Sequence, residues 1–129
     1  MGVNAEIEYP VIEFRSSDLK RGFGVGDASN YDSVKSFAQL MWPDGYPHFC
    51  DIVYTLATQM EELNKLNWLM IIDSYGLGEE SLKMSYTTLM RMVKYMAPPS
   101  GKFESGLFPR TDKPISILIC EDKISGLEI

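Results

Sequence analysis

Ser81-Leu82-Lys83-Met84-Ser85-Tyr86-Thr87-Thr88-Leu89-Met90-Arg91-Met92-Val93-Lys94-Tyr95-Met96, SLKMSYTTLMRMVKYM, decides how much of the chain is helix. Leu82, Tyr86, Leu89, Met90, Val93 and Met96 recur at helical spacing and form one apolar stripe. Gly78-Glu79-Glu80 puts acids where a first helical turn favours them, and Pro98-Pro99 ends the run. Read this way, the stretch is a third helix. Its opposite face carries Met84, Thr88, Arg91 and Tyr95, which include residue types favoured at protein interfaces.

Downstream, Pro114 precedes Ile115-Ser116-Ile117-Leu118-Ile119-Cys120, whose alternation predicts a strand with Ile115, Ile117 and Ile119 on one face. Its expected partner is the N-terminal run Ala5-Glu6-Ile7-Glu8-Tyr9, which also alternates. Val11, Ile12 and Phe14 extend that strand past Pro10, where the phase slips. A bulge on an edge strand accommodates both the proline and the slip.

Two helices precede the quoted stretch. Ser29-Asn30-Tyr31-Asp32 has the form of a capping sequence, and Val34, Phe37, Ala38 and Met41 follow at helical spacing until Trp42-Pro43-Asp44-Gly45. The next helix starts near Pro47, with Phe49, Ile52, Val53, Leu56, Met60 and Leu63 on one face. Trp68 to Ile72 is apolar all round and is read as its continuation, because Ser74-Tyr75-Gly76-Leu77 resembles a glycine-terminated helix stop. The expected fold is α+β: about three helices packed on a small sheet formed by the N- and C-terminal strands, with residues 1–129 as a single globular domain.

Composition limits the function classes. The chain has 129 residues, 45% hydrophobic and 23% charged, which is ordinary for a globular protein. No apolar run approaches a membrane span and no cationic leader opens the sequence, so a soluble, cytoplasmic protein is expected. The net charge of −6 disfavours nucleic acid and anionic membranes as partners. Cys50 and Cys120 are expected as reduced, structural thiols. The imbalance is concentrated: residues 27–73 hold seven acids against Lys35 and Lys65, while residues 79–113 carry a net positive charge.

Lys20-Arg21-Gly22-Phe23-Gly24-Val25-Gly26-Asp27 raises the question of a phosphate loop. Its spacing is neither the dinucleotide fingerprint nor a Walker motif, and Asp27 and Asp32 would repel an anion. A flexible loop whose glycines supply positive φ is the expectation. His48-x-Cys50-Asp51 with Cys120 lacks the paired spacing of a zinc site. Neighbouring His48 and Cys50 point apart, and Glu61 and Glu62 diverge on a helix, so neither pair composes a catalytic unit.

The loop Met41 to Phe49 is more distinctive, since a Pro-Asp-Gly turn displays Trp42, Tyr46 and Phe49 within eight positions and two prolines, Pro43 and Pro47, stiffen it. Together these features predict a small acidic protein-interaction module: an inhibitor, immunity-type or antagonist protein that masks a basic surface of a protein partner. No enzymatic activity, cofactor or metal is expected. Trp42, Asp44, Tyr46, His48, Asp51, Glu61 and Glu62 are the expected partner-binding residues. The alternatives are a binding module for a phosphorylated small molecule, through Lys20, Arg21 and the glycine loop, or a small enzyme of unknown class.

Overall fold

The computed structural model describes residues 20–78, 86–96, 111, 114–121 and 123. Four elements follow in order: β1 (Lys20–Gly26), α1 (Tyr31–Met41), α2 (Pro47–Ser74) and β2 (Leu89–Tyr95). Helix and strand are mixed, as expected of an α+β chain, but the described residues hold two helices rather than three. The strands pair antiparallel, with Phe23 opposite Met92 and Val25 opposite Met90. The expected N-terminal strand lies outside the described residues.

Both ends of the ribbon reverse expectations. Residues 89–95, expected in a third helix, form β2 because side chains on both of its faces have uses. Met90 and Met92 turn inward with Phe23 and Val25, while Leu89, Val93 and Tyr95 are exposed on the other side. An apolar residue on each face hides the two-residue period, and the same residues satisfy a helical stripe equally well. Pairing with β1 decides for the strand.

The glycine stretch is likewise a strand and not a loop. Its alternate positions Gly22, Gly24 and Gly26 share the outer face, and none has the positive φ found at Gly45 and Gly76. A Cβ on Gly22 would stand 2.6 Å from the Met92 carbonyl oxygen, and one on Gly24 would stand 3.2 Å from the Leu89 side chain. Here glycine permits close cross-strand approach rather than an unusual turn.

Asp27, at φ 51°, turns the chain from β1 toward α1, and its amide donates to the Thr88 carbonyl at 2.9 Å. Asn30 caps α1, its side chain accepting from the Asp32 amide at 3.0 Å. The Ser29 cap is thus displaced by one residue. Val34 and Ala38 bury one stripe of α1 between β1 and α2.

α2 begins with Pro47, where the missing amide costs nothing, and runs without interruption through Trp68–Ile72. It stops as expected: Gly76 takes φ 67°, with its amide donating to Asp73 and that of Leu77 to Ile72. Its first three turns supply Phe49, Cys50, Val53 and Ala57 to the core, which Val25, Ala28, Val34 and Ala38 complete. Beyond Ala57 no described α2 residue is buried, and Leu63, Leu66, Met70 and Ile71 are exposed.

Residues 115–118 run beside this outer half, and no described residue of 114–121 pairs in a strand. Ile115, Ile117 and Ile119 are exposed, Leu118 is half-buried, and the Ser116 hydroxyl donates to Asn64 Oδ1 at 2.7 Å. The expected pairing with the N-terminal strand is therefore not shown. Cys120 is exposed rather than buried in a sheet, whereas Cys50 is a core residue. No helix among the described residues is long and apolar enough to cross a membrane.

Candidate functional site

The residues picked out from the sequence fall on the turn before α2 (Trp42, Asp44, Tyr46), in the first turns of α2 (His48, Asp51) and beyond its midpoint (Glu61, Glu62). Trp42 ends α1, and the Gly45 amide closes the following turn on the Trp42 carbonyl at 2.8 Å. The Trp42 ring packs on Phe49 at 5.1 Å and on Tyr46 at 5.3 Å between centroids, so the tryptophan half-closes the core at the helix ends. Tyr46 is half-buried against it and meets His48 edge-on at 6.4 Å. Asp44 stands exposed at the tip of the turn.

His48 and Asp51 are three residues apart on α2 and therefore share a face. With Ile52, Thr55, Leu56 and Gln59 they line an open groove of about 360 Å³. Asp51 is already engaged: Tyr31 of α1 donates its hydroxyl to Asp51 Oδ1 at 3.0 Å. That bond, together with partial burial, raises the Tyr31 pKa, because ionising the phenol would set two anions side by side. Cys50 points into the core, where burial pushes its thiol up and keeps it protonated and unreactive.

Glu61 and Glu62 sit about 15 Å farther along the helix than Asp51. Glu62 is exposed, but Glu61 joins three parts of the chain. Lys65 pairs with it at 3.1 Å, the Tyr86 hydroxyl donates to it at 3.3 Å, and the Ser29 hydroxyl contributes most to lowering its pKa. These donors hold its carboxyl below the usual range despite partial burial. Nothing in the spacing of Ser29 or Tyr86 announced this role.

The depressed pKa gives a signed expectation. Stabilisation by Glu61 is complete above its unfolded value of about 4.3 and is lost as pH falls through that value and the lower native one. Glu61→Gln is expected to cost about 1–2 kcal/mol at neutral pH and almost nothing in strong acid. Urea unfolding of both proteins across that range checks it, and a difference independent of pH contradicts it.

A second groove, of about 410 Å³, lies between the outer half of α2 and the segment from Ile115 to Leu118; Asn64, Asn67 and Trp68 contribute to its wall. Among the described residues no three His, Cys, Asp or Glu side chains are grouped to hold a metal ion.

Comparison with known proteins points elsewhere than the charge pattern. The chain is 25% identical over 144 aligned residues to gibberellin 3-beta-dioxygenase 3 of Arabidopsis thaliana, covering 92% of this chain and 41% of that protein. Gibberellin 3-beta-dioxygenase 1 of Pisum sativum is 25% identical over 137 residues, 89% of this chain and 36% of its own length. The 2-oxoglutarate-dependent dioxygenase AOP2 of Arabidopsis thaliana is 29% identical over 117 residues, 87% of this chain and 26% of its own. These are enzymes. The chain spans between about a quarter and two-fifths of the length of the curated relatives it matches. No protein-family model matches it.

The expectation of a non-enzymatic inhibitor, immunity-type or antagonist protein is thereby overturned. Net charge governs solubility and steering but does not specify a reaction, so the acids of residues 27–73 were a poor guide to function. Two of the acids that suggested a docking surface, Asp51 and Glu61, make bonds within the chain.

Proposed function

We propose that this chain is a polypeptide of the 2-oxoglutarate-dependent dioxygenase kind, with β1, α1, α2 and β2 as its helix-and-ribbon scaffold. The carrying observation is agreement: dioxygenases from two plants, of differing names, each align with about nine-tenths of the chain. The gibberellin named for two of them sets the proposed substrate class, a small organic molecule. Such an enzyme couples decarboxylation of 2-oxoglutarate, to succinate and carbon dioxide, with the transfer of one oxygen atom of O2 to the substrate.

Activating O2 in this way calls for a redox metal, and the donor set associated with non-haem Fe(II) oxygenases is two histidines and one carboxylate with open positions. This chain has a single histidine, His48, and the carboxylate in its groove, Asp51, is shared with Tyr31. Its residues do not compose that triad. What they do supply is position: the core around Phe49 fixes α1, α2 and the ribbon relative to one another.

Segment exchange tests the reading. Residues 20–95 are to replace the aligned segment of Arabidopsis gibberellin 3-beta-dioxygenase 3, and succinate release from 2-oxoglutarate is to be followed. The expected chimera folds and turns over. A chimera with native-like circular dichroism and cooperative unfolding, yet no succinate above the metal-free blank, overturns the proposal.

A further inference from the structure

From the burial pattern of α2 we infer that its outer half, the stripe Leu63, Leu66 and Met70 beside the segment from Ile115 to Leu118, is a packing face for the part of a dioxygenase polypeptide that this chain does not span. The inference rests on the dioxygenase reading for its occupant, and on this chain's residues for the face.

The core of the described residues ends at Ala57, yet α2 runs on to Ser74, about 25 Å farther. Helices are marginal in water unless they bury an apolar face, so an extension of this length calls for a cover. Its sequence is that of an interior helix: the seven residues from Leu66 to Ile72 carry no charge, are apolar apart from Asn67, and circle the helix almost twice. A helix apolar all round belongs in the core of a larger body. Leu66 is nevertheless 57% exposed and Met70 71%, and Leu63, one turn before Leu66, continues their stripe.

Part of the cover is in place on the neighbouring face. Asn64, Trp68 and Ile71 wall the groove against the segment from Ile115 to Leu118, and Ser116 is tied to Asn64 at 2.7 Å. Ile115 and Ile117 are exposed there, so the apolar surface of α2 continues onto this segment. The length of the relatives supplies the occupant. Gibberellin 3-beta-dioxygenase 3 aligns with 92% of this chain over only 41% of its own length, so more than half of that enzyme is further chain with a surface of its own to bury. The other end of α2 is closed to it, since Phe49, Val53 and Ala57 already lie in the core.

The test places Leu66→Asp with Met70→Asp in two bodies: the full chain, and the chimera in which residues 20–95 replace the aligned segment of Arabidopsis gibberellin 3-beta-dioxygenase 3. The melting temperature is expected to move by no more than about 2 °C in the full chain and to fall by at least about 5 °C in the chimera. Leu40→Asp, exposed on α1, is expected to shift neither body by more than about 2 °C. Should the aspartates leave the chimera unfolded, Leu66→Ala with Met70→Ala gives a graded reading, and its loss is again expected in the chimera alone. Equal small shifts in both bodies overturn the inference, and so does a loss from Leu40→Asp in the chimera as large as that from the stripe. A large loss in the full chain overturns it too, because the chain's own residues would then be the cover. So does a full chain that sediments as a dimer and is made monomeric by the aspartates, the occupant then being a second copy. A chimera that folds but forms no succinate fails the proposed function while the two melting temperatures still decide the inference; one that turns over and ignores the substitutions fails the inference alone. A chimera that does not fold fails both.

Discussion

Phe49→Ala is expected to lower the free energy of unfolding by about 3–4 kcal/mol. The Phe49 side chain lies where all three packed elements meet. Its ring centroid is 6.1 Å from Phe23 on β1, 6.4 Å from Phe37 on α1 and 5.1 Å from Trp42 at the α1 end. Truncation removes the transfer free energy of the ring and leaves a cavity that three separately anchored aromatics cannot close by small shifts. The exposed Leu40 on α1 provides the contrast: Leu40→Ala removes a similarly apolar side chain but is expected to change stability by no more than about 0.5 kcal/mol. Urea unfolding of the three proteins measures both. A loss below about 1 kcal/mol for Phe49→Ala would mean that this aromatic cluster does not hold the elements together.

Gly22→Ala is expected to cost about 2–3 kcal/mol, and Gly26→Ala within about 0.5 kcal/mol of nothing. Both glycines lie on the outer face of β1, but their surroundings differ. A Cβ on Gly22 meets backbone, the Met92 carbonyl oxygen at 2.6 Å and Val93 Cα at 3.3 Å, so the strands must move apart. A Cβ on Gly26 meets nothing within 4 Å. If Lys20–Asp27 were instead a loop, the two substitutions would behave alike. The asymmetry, read from thermal unfolding, therefore reports on the pairing of β1 with β2 as well as on one steric contact.

The helices were legible in the sequence and the ribbon was not, for physical reasons. α1 and α2 carry their punctuation locally: Asn30 and Asp32 at one start, Pro47 at the other, and Gly76 in the left-handed conformation at the stop. β1 alternates Phe23 and Val25 with glycines, so half of its pattern has no side chain and resembles a loop. β2 is apolar on both faces, and its strand character comes from a partner more than sixty residues away in sequence. The candidate site was legible in part. The His48–Asp51 pair follows from helical spacing, but the Tyr31 and Ser29 bonds that occupy Asp51 and Glu61 cross between elements. The reaction class was not legible, because a chain with one histidine displays no metal-ligand spacing.

The most direct measurement of the central claim is succinate formed from 2-oxoglutarate by Arabidopsis gibberellin 3-beta-dioxygenase 3 carrying residues 20–95 of this chain. Turnover within about tenfold of the unexchanged enzyme is predicted, corresponding to a barrier change of no more than about 1.4 kcal/mol. A folded chimera that produces no succinate would contradict the account.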